Sequence, residues 1–220
     1  MQFNSTIARS EESVLQTNKV IRNTYILLSM TLVFSAVTAF LGVISGIGFG
    51  MALGADIVAI VMLWFVLPRT ANSASGIPTI FAITGLLGFG LGPLLSHYLS
   101  VNPSIVMTAL GGTGAIFLAL SGYALTTRRD FSFMGGFLMT GILVAFLAGL
   151  GAIFFEMPNL SLAVSSMFVL LMAGLILYET SNIIHGGETN YIMATVTLYV
   201  AIYNLFASLL HLLGFLGEES

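Results

Sequence analysis

Five ionisable side chains sit in or beside long apolar runs and apart from the arginines and lysines: Asp56, His97, Glu156, Glu179 and His211. A carboxylate held at membrane depth is costly, so its presence points first to proton or ion chemistry. Glu179 closes the run Leu175-Ile176-Leu177-Tyr178. Half-buried there, its pKa is expected to rise by desolvation unless a cation is near, which makes it a candidate proton-sensitive latch. Asp56 lies about two turns into another run and is the secondary candidate, placed to line a wet pocket or to snorkel outward. Glu156 precedes Met157-Pro158-Asn159 and reads as a solvated turn residue, and His97 reads as the end of a helix. The turn His185-Gly186-Gly187-Glu188 holds one imidazole and one carboxylate, too few ligands for a metal centre.

A second pattern lies in the final run. At about 100° per residue, Thr197, Asn204, Ser208 and His211 fall on one side of a helix, with Ala201 in the same sector. Lipid offers no partner for such a stripe, so the last helix is expected inside a bundle. Nothing pairs a nucleophile with a base, and Gly111-Gly112-Thr113-Gly114 lacks the lysine and strand context of a phosphate loop. No cofactor, metal or nucleic-acid partner is expected, and the chain is not expected to be an enzyme.

These residues must be positioned by membrane helices. Of 220 residues, 57% are hydrophobic and 7% charged, where soluble domains carry about 25% charge. Inside a bilayer every backbone polar group needs a partner, which leaves helices or a closed barrel, and the continuous apolar runs favour helices. The expected fold is therefore all-α. Seven spans are placed at 24–45, 50–67, 78–99, 104–125, 134–155, 160–180 and 191–216, each near the ~20 residues that cross the hydrocarbon core. Together they form one domain, 24–216. A polar tail, 1–23, precedes it and a short tail, 217–220, follows. The first tail carries five charges and is too polar for a signal peptide.

Gly42, Gly46, Gly50 and Gly54 recur every fourth residue. One helix over 24–67 would be about twice as long as the bilayer is thick, so a turn is expected near Ser45–Gly48, leaving Gly50 and Gly54 as a packing face. Gly85, Gly88 and Gly92 form a small-residue face on the third span, and Pro93 is expected to kink it. With the tail inside, Arg9, Lys19, Arg22, Arg69, Arg128 and Arg129 all fall on the cytoplasmic side, and the C-terminus falls outside. The absence of cysteine excludes disulfides and thiolate metal sites.

Three blocks carry a resemblance: TGLLGFGLGPLLSHYL (84–99), LTTRRDFSFMGGFL (125–138) and LYETSNIIHGGETNYIMATVTLYVAIYNLFASLLHLLG (177–214). Together they resemble the Bax inhibitor-1 family of membrane proteins. TTRRDFSF with LYETSNIIHGGETNYI is similar to its bacterial YccA branch. The family resemblance implies seven helices with the last one central, wrapped by the other six. For many members it also implies a pH-sensitive calcium or proton leak, in which one acidic residue on each of the last two helices shares a proton. Glu179 matches the first of these, but the second position is Ala201, so the pair is broken. An arginine that partners the pair in some members has no clear match, Arg69 being the nearest. The YccA branch implies instead a bacterial inner-membrane protein that is a substrate and modulator of the FtsH protease, in contact with HflK–HflC and with membrane lipid. A loose polar tail suits a processive protease that must grip its substrate.

Overall fold

The structure, a computed structural model, describes residues 2–218, with side chains over 15–217. Most side chains of the expected N-terminal tail, and residues 219–220 of the C-terminal one, therefore lie outside the described residues. The chain forms α1 (Gln2–Ile44), α2 (Phe49–Val61), a π-helical turn (Met62–Val66), α3 (Leu67–Thr70), α4 (Gly76–Gly90), α5 (Gly92–Val101), α6 (Pro103–Thr127), a short 3₁₀ turn (Ser132–Met134), α7 (Gly135–Phe154), α8 (Pro158–Ile184) and α9 (Tyr191–Glu218). Seven segments are long and apolar enough to cross a membrane: 15–44, 49–70, 76–101, 103–127, 132–154, 158–184 and 191–217. No strand occurs among the described residues.

The boundaries follow local chemistry. Gly46 turns the chain between the first two spans with φ +59, a conformation glycine adopts without a Cβ penalty. Pro68 lacks an N–H and crowds the carbonyl four residues earlier, and the helix widens into the π-turn just before it. The expected kink in the third span is a full break between α4 and α5, at Leu91, with Pro93 in the first turn of α5. Asn102 caps α6, its side chain accepting the Ser104 N–H at 3.0 Å. Gly186, at φ +75, ends α8, its N–H donating to the Ile183 carbonyl. Asn190 starts α9, its side-chain oxygen accepting the N–H groups of Ile192 and Met193.

One end of the bundle gathers Lys19, Arg22, Arg69, Arg128 and Arg129. Asn190 donates to the Ala71 carbonyl at 3.1 Å and to Asn72 at 2.8 Å. Ser181 donates to the Arg129 carbonyl and accepts the Phe131 N–H, both at 3.0 Å. These bonds place the loops after Thr70, Thr127 and Ile184 side by side. Lys19 and Arg22 begin the first span at the same end.

Helix α9 packs against α1, α4, α6 and α8, and Leu198, Ala201, Leu205 and Leu210 on it are fully buried. The expected ring of six is not complete: α2 packs chiefly on α4, and α7 on α8. The third span is buried as fully as the last. Its glycines explain why. A Cβ on Gly92 would sit 2.7 Å from the Gly42 carbonyl carbon, one on Gly42 would sit 2.6 Å from the Phe89 oxygen, and one on Gly85 would sit 2.6 Å from the Phe34 ring. Gly88 lies directly on Ser35. Backbones meet here because nothing stands between them.

The expected packing face at Gly50 and Gly54 is absent. Both are exposed, with no neighbouring atom within 4 Å of a built Cβ. Helix α2 turns Ala52 and Ala59 inward instead. Gly42→Ala is accordingly expected to cost about 1–3 kcal/mol by overpacking, read as a lower thermal midpoint of the purified protein in detergent. Gly54→Ala leaves that midpoint unchanged.

Candidate functional site

Two polar layers lie within the bundle. The first is near the basic end. Glu179, in the last two turns of α8, is 4% exposed. Asn182 lies one turn on along the same helix, and the negative charge of Glu188 acts on the carboxylate from the next loop. Beside it, Tyr25 of α1, Ser121 of α6 and Thr180 of α8 close a ring of hydroxyls. Tyr25 meets Ser121, Ser121 lies 3.1 Å from Thr180, and Thr180 lies 3.3 Å from Tyr25. Each hydroxyl has one proton to give, so the ring satisfies all three donors. Thr195 shares its one proton between the Tyr191 carbonyl at 2.6 Å and the Thr24 carbonyl at 3.3 Å. The Thr24 hydroxyl is buried without a partner.

The second layer lies deeper. Tyr199 of α9 is 1% exposed. It donates to the Thr84 carbonyl of α4 at 3.1 Å and meets the Ser35 hydroxyl of α1 at 2.5 Å. A phenol has one proton, so Ser35 donates to Tyr199. Tyr203 stacks one turn further on, ring centroids 6.2 Å apart. Asp56 is half-buried against Gly90, at the α4–α5 break, and its Oδ1 is enclosed without a hydrogen-bond partner. Glu179 and Asp56 are not brought together: Asp56 sits on the α2–α4 contact, and Glu179 on a helix packed against α6, α7 and α9.

The stripe on α9 differs from expectation. Thr197 and Asn204 are half-buried and bond carbonyls of their own helix, Met193 at 3.1 Å and Val200 at 2.8 Å. Ser208 is buried and His211 is half-buried. The cross-helix bonds come from the neighbouring row Thr195, Tyr199 and Tyr203, of which the first two reach α1 and α4. That row recurs every fourth residue, and the spacing could have found it had tyrosine been counted as polar. His97 and Glu156 are exposed. Arg69 is exposed too, and its guanidinium bonds the Phe65 carbonyl of its own helix rather than a carboxylate. In the 128–131 loop, Asp130 accepts the Ser132 N–H at 2.8 Å. This bond and the Ser132 hydroxyl hold its carboxyl below the usual range. Among the described residues no three His, Asp or Glu side chains gather to hold a metal ion.

Seven apolar helices with two internal polar layers and a single buried carboxylate at the α8 end define a polytopic membrane bundle. A family model described as "Inhibitor of apoptosis-promoting Bax1" matches residues 17–218, and the chain belongs to that family, the one its motifs resemble. The protein called modulator of FtsH protease YccA, from Escherichia coli K12, is 50% identical over 208 residues, 94% of each chain. An uncharacterized membrane protein of Vibrio cholerae is 46% identical over 216 residues, 97% of each chain. Bax inhibitor 1 of Rattus norvegicus is 38% identical over 134 residues, 59% of this chain and 56% of its own.

Tyr199 is the member of the deeper layer that three helices depend on. Tyr199→Phe and Ser35→Ala are each expected to destabilise the bundle. Their double-mutant cycle should show a coupling of about 0.6 kcal/mol, the average for interhelical hydrogen bonds in a membrane, and no more than about 1.7 kcal/mol. The measurement is denaturant unfolding in detergent micelles.

Proposed function

We propose that this chain modulates an FtsH-type membrane protease, in the bacterial inner membrane. The observation that carries the reading is its 50% identity, over 94% of both chains, to a protein named for that role. A second relative of the same identity and coverage is named an inner membrane protein. The physical features agree with the role. The bundle has short loops, backbones in direct contact at Gly42–Gly92 and polar groups bonded across helices. Such a body resists extraction, while the sequence before the first span supplies a polar segment for a protease to grip. In this reading the basic end faces the cytoplasm, the chain acts through contact rather than catalysis, and HflK–HflC and bilayer lipid are its further neighbours.

FtsH is expected to co-purify with the full-length protein from mild detergent. Deletion of residues 1–20 is expected to lengthen its half-life in cells several-fold without releasing FtsH. An unchanged half-life removes the tail from the mechanism, and loss of co-purification from the intact chain removes the reading.

A second reading is a proton-sensitive calcium or proton leak, favoured by the burial of Glu179. Ala201, fully buried on α9, leaves that carboxylate without a second one to share its proton. Calcium flux into proteoliposomes at pH 6 and pH 8, for wild type and Glu179→Gln, separates the two. Modulation through contact predicts no flux at either pH, and a flux that Glu179→Gln alters would place the leak first.

A further inference from the structure

A cavity of about 460 Å³ opens at the basic end, between the start of the first span and the ends of α6 and α8. Thr17 and Asn18 of α1, Arg128 after α6, and His185 and Gly186 after α8 line its polar wall. Ile21, Leu125 and Ile184 form its apolar side. Among the described residues no carboxylate lines it. Its level is that of the headgroups, because the apolar parts of α6 and α8 end at Thr127 and Ile184. One turn beyond the cavity, α1 and α6 meet where Tyr25 touches Ser121 and the Phe117 ring.

The charge in it is uncommitted. Arg128 adopts a left-handed backbone, φ 49, and its N–H closes α6 on the Ala124 carbonyl. Its guanidinium donates to no acceptor among the described residues. The helix ends themselves disfavour an anion, an effect reduced at α8, where the Ser181, Asn182 and Ile183 carbonyls accept the N–H groups of His185, Gly187 and Gly186. Asp130 is the acidic group that acts on His185, and its carboxylate is turned into the Ser132 N–H. Arg22 lies one turn beyond Asn18 on the same side of α1, outside the lining of the cavity.

We propose that this cavity binds the phosphodiester headgroup of an anionic phospholipid, with Arg128 on the phosphate and Asn18 and Thr17 donating to its oxygens. Basic pockets between membrane helices recognise such headgroups by this combination of charge and donors. The guanidinium offers two parallel N–H groups to a phosphate, which an ammonium does not. The proposal does not rest on the protease reading. It needs the cavity to lie at a membrane surface, whichever surface that is.

The test is native mass spectrometry of the full-length protein, released from nanodiscs of phosphatidylcholine and phosphatidylglycerol mixed in equal amounts. Wild type is expected to retain phosphatidylglycerol over phosphatidylcholine. Arg128→Asn removes the charge and keeps a residue tolerant of left-handed backbone. It should lower that preference about fivefold, the effect of one basic residue near the surface. Asn18→Ala is a second variant, independent of the turn, and should lower it in the same direction. Arg69→Ala, at the same end but outside the cavity, should leave it unchanged. Equal retention in wild type and Arg128→Asn would overturn the proposal, as would an equal loss in Arg69→Ala. Displacement of phosphatidylglycerol by millimolar inorganic phosphate would also overturn it, in favour of a free-anion site.

Discussion

The close approach of α1 to the third span is the constraint on which the rest of the bundle depends. A bilayer supplies no hydrophobic force between helices and no water for their polar groups. Contact must therefore come from shape, and shape here comes from glycine. Because Gly42 and Gly88 bring the backbones together, Ser35 on one helix and the Thr84 carbonyl on the other come within reach of a single phenol on α9. The hydrogen bonds do not draw the helices together so much as become possible once they touch. The burial of α9 is thus a result of two other helices meeting.

Much of this could be read from the chain, for a physical reason. Lipid imposes length and polarity on each span separately, and a one-dimensional sequence records both. The third span's glycines were legible because a face that must admit a backbone cannot carry side chains. The glycines of α2 have the same spacing and face outward. A small-residue repeat permits close packing without naming a partner, and Ala52 and Ala59 met α4 instead. The polar row on α9 failed in a related way. Thr197 and Asn204 can satisfy themselves on their own helix, so a polar residue in the last span does not by itself require a neighbour. Tyr199 does, since its hydroxyl lies too far from its own backbone, and a composition that counts tyrosine as apolar conceals it.

The candidate site divides along the same line. Glu179 was legible as a carboxylate at the end of an apolar run. The hydroxyl ring of Tyr25, Ser121 and Thr180 beside it joins residues 59 to 155 positions apart, and no local pattern announces it. Ala201, the position where the family resemblance implies a second carboxylate, is fully buried on α9, and a helix pair that packs there around an alanine needs neither a shared proton nor a water.

The π-turn at Met62–Val66 gives the second span a phase shift. A wide turn holds one more residue than an α-turn, so each residue after it is set back by about 100° relative to an unbroken helix. Ala59 on one side of the turn and Leu67 on the other are both buried, although plain α-helical counting over eight residues sets them about 80° apart. The span is thereby a jointed rod whose two halves answer to different neighbours, α4 for one and the Asn72–Asn190 junction for the other. Loss of one residue within the joint would straighten the rod and leave its length almost intact. It would disengage one of the two halves, so the register of this span, more than its hydrophobicity, ties the break at Gly90 to the loop that starts the last helix.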